Sequence, residues 1–180
     1  MRLIYVVFKF ILFPGTYIRG FWEHLTCKIL HLPVESEGYL RPDEASGHVE
    51  HALATTPWSA WLMATGPGFM MFNAGMSFLY AGVLNIFYMG ITPYDSLGMF
   101  ILYVVLIYLG VSFLCSLFPL TEDILTYWHL AYTEKKAPLI LRILAFPLAL
   151  VTRVGAFCER NCINFLLAII FIVVHIVFVL

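Results

Sequence analysis

The sequence feature that most constrains the fold is an apolar run of about 22 residues, 97–118, which contains no charged side chain. A helix needs about 20 such residues to cross the hydrocarbon core of a bilayer. A second run, 161–180, has His175 as its one polar side chain beyond Asn164. Both runs are therefore predicted to be transmembrane helices.

The composition supports an integral membrane protein. Hydrophobic residues make up 62% of the chain and charged residues 12%, whereas globular averages are about 45–50% and about 25%. The length of 180 residues fits one membrane domain, 1–180. The net charge of −1 gives no electrostatic basis for binding nucleic acid, so the lipid bilayer is the expected partner. The four cysteines are interpreted as small packed hydrophobic residues.

The predicted fold class is an all-α integral membrane protein with four to five transmembrane helices. The first helical region, 3–30, breaks at Pro14-Gly15, where Pro14 is either a kink or a first-turn residue. Pro57 is predicted to begin the next helix, which residues 65–69 interrupt. Residues 139–154 form either a further span or a tilted interfacial helix. Arg2 and Lys9 are interpreted as a sign that the N-terminus faces the cytoplasm.

A polar segment, 31–57, follows the first helical region. It holds five acidic residues against the single Arg41. Residues 34–40 and 47–53 are predicted to pair as short strands in a hairpin.

Three local signals mark the later part of the chain. Gly68, Gly75 and Gly82 recur seven residues apart, a spacing of small residues that lets helices approach closely. Residues 92–96 are predicted to form a turn, and Thr121 is interpreted as the N-cap of the helix that follows it.

Ionisable side chains recur at helical spacing in the first region. Arg19 and Glu23 are four residues apart, and His24 follows them. A charged group inside an apolar span costs about 2.5–3.5 kcal/mol. We therefore predict that Arg19 pairs with an acid, either Glu23 or Asp123.

Five short motifs occur in one order along residues 10–125. They are Phe13-Pro14-Gly15, Leu25-Thr26-Cys27-Lys28, the hairpin-like segment, Gly66-Pro67 followed by Asn73, and Pro119 followed by Asp123. Together they resemble membrane-embedded zinc metallopeptidases of the site-2 protease type. The resemblance implies a peptidase-like core over 10–125 and a place in the cytoplasmic membrane of a prokaryote. The apolar runs beyond that core predict additional C-terminal helices over 137–180.

The catalytic motif of that family is degenerate here. Where the family has His-Glu-x-x-His, this chain has Arg19, Gly20 and Glu23 at the three functional positions. Zinc hydrolysis needs two imidazoles on one helix face with a carboxylate beside them. We therefore expect no catalytic residues and no zinc or other cofactor. The expected function is to bind membrane segments or partner proteins without cutting them.

Two other functions stay open. An intramembrane metallopeptidase with displaced ligands would draw its zinc ligands from Glu23, His24, His48 and Asp123. A small transporter or an accessory subunit of a membrane complex would also carry polar groups within its spans. Under any of these functions, structural or substrate-binding roles are assigned to Glu50, His51, Gly66, Pro67 and Asn73.

Overall fold

The computed structural model describes residues 7, 9–36, 49–161 and 163–179. The helices in this part are α1 Phe13–Ile29, α2 Pro57–Val83, α3 Leu97–Cys115, α4 Thr121–Trp128, α5 Leu139–Arg160 and α6 Ile163–Val179. Two short strands, β1 Val34–Ser36 and β2 Glu50–His51, lie between α1 and α2. The predicted all-α class is confirmed.

Three helical segments in the described part are long and apolar enough to cross a membrane. They are Pro57–Tyr88, Leu97–Cys115 and Leu139–Glu159. Helix α6 is apolar but shorter, and α1 carries the polar groups described below.

Helix α1 begins with Pro14 in its first turn, one of the two predicted alternatives. Helical backbone also precedes it, at residues 9–11. The hydroxyl of Ser112 accepts a hydrogen bond from the Gly15 N–H and donates one to the Leu12 carbonyl, both at 2.8 Å. A Cβ on Gly15 would lie 2.1 Å from the Ser112 carbonyl oxygen. The first turn of α1 is therefore seated directly on α3.

Helix α2 starts as predicted and does not stop where predicted. Thr56 accepts a hydrogen bond from the Ser59 N–H at 3.2 Å, and Pro57 follows it in the first turn. The predicted interruption at 65–69 is wrong, since the helix continues through Pro67 to Val83 and into a π-helical turn at Leu84–Tyr88. Proline is tolerated inside such a helix because packing by its neighbours compensates for the lost hydrogen bond.

Glycines let α2 and α3 approach closely. A Cβ on Gly68 would lie 2.6 Å from the Leu117 carbonyl oxygen, and one on Gly82 would lie 2.7 Å from that of Tyr103. From the other helix, a Cβ on Gly110 would lie 2.7 Å from the Leu79 nitrogen. The seven-residue glycine spacing of α2 therefore marks its contact face with α3.

Helices α4 and α5 pack against each other. Thr121 is the first residue of α4 and not the predicted N-cap, which is Leu120. A π-helical turn, His129–Thr133, extends α4. Helix α5 is longer than the predicted 139–154, and the Arg153 guanidinium lies 5.1 Å from the Trp128 ring centroid.

The predicted hairpin is present where the structure describes it. Strands β1 and β2 are antiparallel, with Val34 opposite His51 and Ser36 opposite Glu50. The remainder of the predicted pairing, over 37–48, lies outside the described residues.

Candidate functional site

The residues at the degenerate motif positions lie on a buried face of α1. Arg19, Gly20, Glu23, His24 and Cys27 are all buried. Arg19 Nε donates to Glu23 Oε1 at 2.8 Å, across one helical turn. This confirms the predicted pairing of Arg19 with Glu23.

A second acid, Glu159 in the last turn of α5, meets the same arginine. Its Oε1 accepts from Arg19 Nη1 at 3.0 Å and from Lys9 Nζ at 2.5 Å. Its Oε2 accepts from the Phe118 backbone N–H at 2.9 Å. We call Lys9, Arg19, Glu23 and Glu159 the charge quartet.

The charge quartet is buried and balanced. Each member has less than a tenth of its surface exposed, between 3% for Glu23 and 7% for Lys9 and Glu159. Two cations face two carboxylates, so the formal charge sums to zero. Removing one partner of a buried ion pair leaves an uncompensated charge, which typically costs about 3–5 kcal/mol. The quartet therefore holds together three segments: residues 9–11, α1 and the end of α5.

Asp123 has a different partner from the one considered above. It accepts from His51 Nε2, with 3.3 Å between Nε2 and Oδ1, and both side chains are buried. His51 Nδ1 lies 3.0 Å from the Ala52 carbonyl oxygen. This pair ties β2 to the first turn of α4.

The environment of His51 favours its protonated form. The hydrogen bond to Asp123 is the main cause that raises the pKa of His51 to about 9, burial opposes the rise, and the Ala52 carbonyl and the charges of Asp123 and Glu23 add to it. At neutral pH both ring nitrogens therefore donate hydrogen bonds.

The candidate ligands of a displaced zinc site do not converge in the part of the chain that the structure describes. No group of three or more His, Cys, Asp or Glu side chains there has a metal-binding arrangement. Glu23 binds Arg19, and Asp123 binds His51. His24 is buried on α1. His48 lies outside the described residues.

The other predicted site residues divide between two locations. Glu50 precedes His51 on β2 and is half-buried. Pro67 is buried, and a Cβ on Gly66 would lie 3.8 Å from Thr26 Oγ1 on α1. Asn73 is exposed, and its amide donates to the Phe69 carbonyl of its own helix at 2.8 Å. Hence Gly66 lies beside α1 and Pro67 is in the interior, whereas Asn73 faces outward.

Two members of the charge quartet were not among the predicted site residues. Glu159 lies 140 positions from Arg19, so no local spacing links them. Lys9 was interpreted only as a topology signal. The available sign was a charge within or beside an apolar stretch, since such a charge requires a partner; for Glu159 the adjacent Arg160 offered a local one.

The chain was compared with protein-family models, with curated proteins and with solved structures. None of the three comparisons returns a match. The site is accordingly interpreted from its own residues.

Proposed function

We propose that this chain is a non-catalytic membrane protein with a site-2-protease-like fold, and that it binds membrane segments or partner proteins without cutting them. The observation that supports the proposal is the charge quartet. It occupies two of the three degenerate motif positions, Arg19 and Glu23, with a neutral set of salt bridges. A guanidinium at that point repels a metal cation.

The arrangement of the helices supports insertion into a bilayer. Helix α3 has 19 residues, a length of about 28 Å that matches the hydrocarbon thickness of about 30 Å. Large apolar side chains on it are exposed, among them Ile101, Leu102, Val104 and Val105. A continuous exposed apolar surface of this kind suits lipid better than water.

The contacts between α1 and α3 indicate where the charge quartet lies along the proposed transmembrane helices. Gly15 meets Ser112, and one turn further along α1, Arg19 reaches Glu159 beside Phe118. Helix α1 therefore runs parallel to α3, and the charge quartet lies level with the C-terminal end of α3. In the proposed membrane arrangement that level is one face of the bilayer.

The motif positions explain why hydrolysis is not proposed. A zinc peptidase needs three protein ligands, an open position for water and a general base beside that water. Arg19 has no acceptor atom, and Gly20 has no side chain. Glu23 is held by Arg19 at 2.8 Å. The geometry thus favours a salt-bridged pocket over a catalytic centre.

Zinc analysis tests this proposal. The protein is purified without chelator and its zinc is measured beside the variant Arg19→His/Gly20→Glu/Glu23→His, which restores the family motif. We expect near-zero zinc in the natural chain and a gain in the variant. Stoichiometric zinc in the natural chain, lost on changing His24, His48 or Asp123, would establish the displaced-ligand metallopeptidase instead.

A further inference from the structure

Helices α4 and α5 lie side by side and run in opposite directions. Just before α4, the Phe118 ring occupies the space where Gly155, near the end of α5, has no side chain. At the other end of the pair, the Tyr132 hydroxyl donates to the Arg142 carbonyl in the first turn of α5, at 3.0 Å. The two helices are therefore antiparallel neighbours, and a level that one of them occupies in a membrane is shared by the other.

The exposed sides of the two helices differ in chemistry. On α4 and its π-helical turn the exposed residues are polar apart from one leucine; among them are Thr121, Glu122, Leu125, His129, Thr133 and Glu134. On α5 the buried side carries small residues such as Ala145 and Ala149. Its exposed side carries large apolar residues, and Arg153 is the one exposed charge on the side chains of α5 that the structure describes. Hence α4 suits water, whereas α5 suits lipid.

The charges of α4 are too closely spaced for a helix that crosses the bilayer. Glu122 and Glu134 are both exposed, 12 positions apart, which is about 18 Å along a helix against a hydrocarbon thickness of about 30 Å. If α4 crossed, at least one of the two carboxylates would therefore lie in hydrocarbon, where a charge is expensive. The antiparallel α5 shares that level, so it does not cross either.

The turn between α4 and α5 presents cations next to the apolar side of α5. Lys135 and Lys136 are exposed. Lys136 pairs with Glu134, whereas Lys135 makes no ion pair among the described residues. Arg142 fixes the turn, because its guanidinium donates to the Ala137 carbonyl at 2.6 Å and to the Lys135 carbonyl at 3.2 Å. The turn thus holds Lys135 beside the first exposed apolar residues of α5.

We propose that α5 lies along one face of the bilayer, with its exposed apolar side in the lipid and Lys135 on the headgroups of anionic phospholipids. Helix α4 then covers α5 on the water side. Basic side chains beside an exposed apolar helix face are typical of helices that bind anionic membrane surfaces. The level proposed for the charge quartet agrees, since Glu159 is in the last turn of α5. The inference rests on the membrane insertion in the proposed function and not on the absence of hydrolysis.

Depth measurements along α5 test its orientation. Leu139, Leu150 and Phe157 are exposed and lie on one side of the helix, and the outer two are about 27 Å apart along it. Each is replaced singly by trifluoromethylphenylalanine, and the chain is reconstituted in nanodiscs of phosphatidylcholine and phosphatidylglycerol in equal parts. Fluorine line broadening by dissolved oxygen is compared with broadening by a water-soluble nickel chelate. We expect the same ratio of oxygen to nickel broadening at all three positions.

A crossing helix would give a different pattern. Its centre would be deepest, so a ratio that peaks at Leu150 would overturn the proposal, and strong nickel broadening at all three positions would do so by placing α5 in water. Leu97 and Val104 on α3, about 10 Å apart along one side of that helix, are the crossing control. We expect a higher ratio at Val104. Equal ratios at these two positions would contradict the transmembrane α3 itself, and with it the basis of the inference.

Lipid crosslinking tests the headgroup contact. In the same nanodiscs, benzoylphenylalanine replaces Ile140 beside the turn, and mass spectrometry gives the ratio of phosphatidylglycerol to phosphatidylcholine adducts. We expect Lys135→Gln to lower that ratio about fivefold, the equivalent of the about 1 kcal/mol that a lysine contributes near an anionic surface. Lys28→Gln, at an exposed lysine near the end of α1, is expected to leave the ratio unchanged. An unchanged ratio in Lys135→Gln would overturn the headgroup contact.

Discussion

Replacing Arg19 by Met tests the charge quartet most directly. The change removes the donors at 2.8 Å from Glu23 and 3.0 Å from Glu159 while it keeps most of the side-chain volume. Of the four quartet members three charges remain, Lys9 against the two acids, so the quartet itself changes from neutral to a net charge of −1. Breaking a buried pair from one side costs about 3–5 kcal/mol, and we expect about 4 kcal/mol here.

The reverse change, Glu159→Gln, leaves a net charge of +1 on the quartet. We expect it to cost about 3 kcal/mol, since the amide oxygen still accepts hydrogen bonds from the same donors. The double variant restores neutrality, because Lys9 and Glu23 remain as one cation and one acid. It is therefore expected to cost about 2–3 kcal/mol less than the sum of the single changes, within the range of contacting pairs.

The measurement is a double-mutant cycle on the free energy of unfolding in detergent micelles. The matched control is the cycle of Arg19→Met with Glu134→Gln, because Glu134 is an exposed acid that pairs with Lys136 and His129. We expect additivity within about 0.5 kcal/mol for the control. Strict additivity for Arg19 and Glu159, or equal coupling in the two cycles, would refute the charge quartet as described.

Three further predictions follow from other contacts. The raised pKa of His51, about 9 against 6.5, means that the stability from its bond to Asp123 is fully present below about pH 6.5 and lost as the pH rises through about 9. The loss is at most about 3 kcal/mol, and pH-dependent unfolding should show it in the natural chain and not in His51→Gln. Gly110→Ala places a Cβ 2.7 Å from the Leu79 nitrogen and is expected to cost about 1–3 kcal/mol in chemical unfolding; Gly98→Ala, which meets nothing within 4 Å, is the neutral control. Carbonate extraction should leave the chain in the membrane pellet, and recovery of folded protein in the supernatant without detergent would contradict membrane insertion.

The elements that the sequence predicted well depend on local chemistry. Thr56-Pro57 specifies a helix start, because the Thr56 hydroxyl accepts a hydrogen bond from the Ser59 N–H and the Pro57 ring favours the backbone angles of a first helical turn. Pro14 suits the first turn of α1 because backbone N–H groups in a first turn have no acceptor within the helix, so the N–H that proline lacks is not needed there. The turn at 92–96 is closed by Asp95, which accepts from the Thr92 N–H at 2.9 Å.

The errors arose where packing overrides a local signal. Residues 65–69 contain two glycines around Pro67, a sequence typical of a break, yet α2 continues through them with Gly68 packed against the Leu117 carbonyl. Thr121 had the right chemistry for an N-cap, but the helix begins one residue earlier than that role requires. Neither outcome can be predicted without the neighbouring helix.

In the candidate site, the pair of Arg19 and Glu23 could be predicted from the sequence, whereas the contacts with Lys9 and Glu159 could not. Arg19 and Glu23 are one helical turn apart, so their pairing is a local property that the spacing predicts. That pair is neutral by itself, and its neutrality concealed the need for further partners. Yet a guanidinium carries five N–H donors, and one carboxylate cannot satisfy all of them in a buried site. Arg19 therefore required another acceptor, while Lys9 and Glu159 each required a charge of opposite sign. The sequence offers several acids that could meet the need of Arg19, and only the packing of α5 against α1 selects Glu159, 140 residues away.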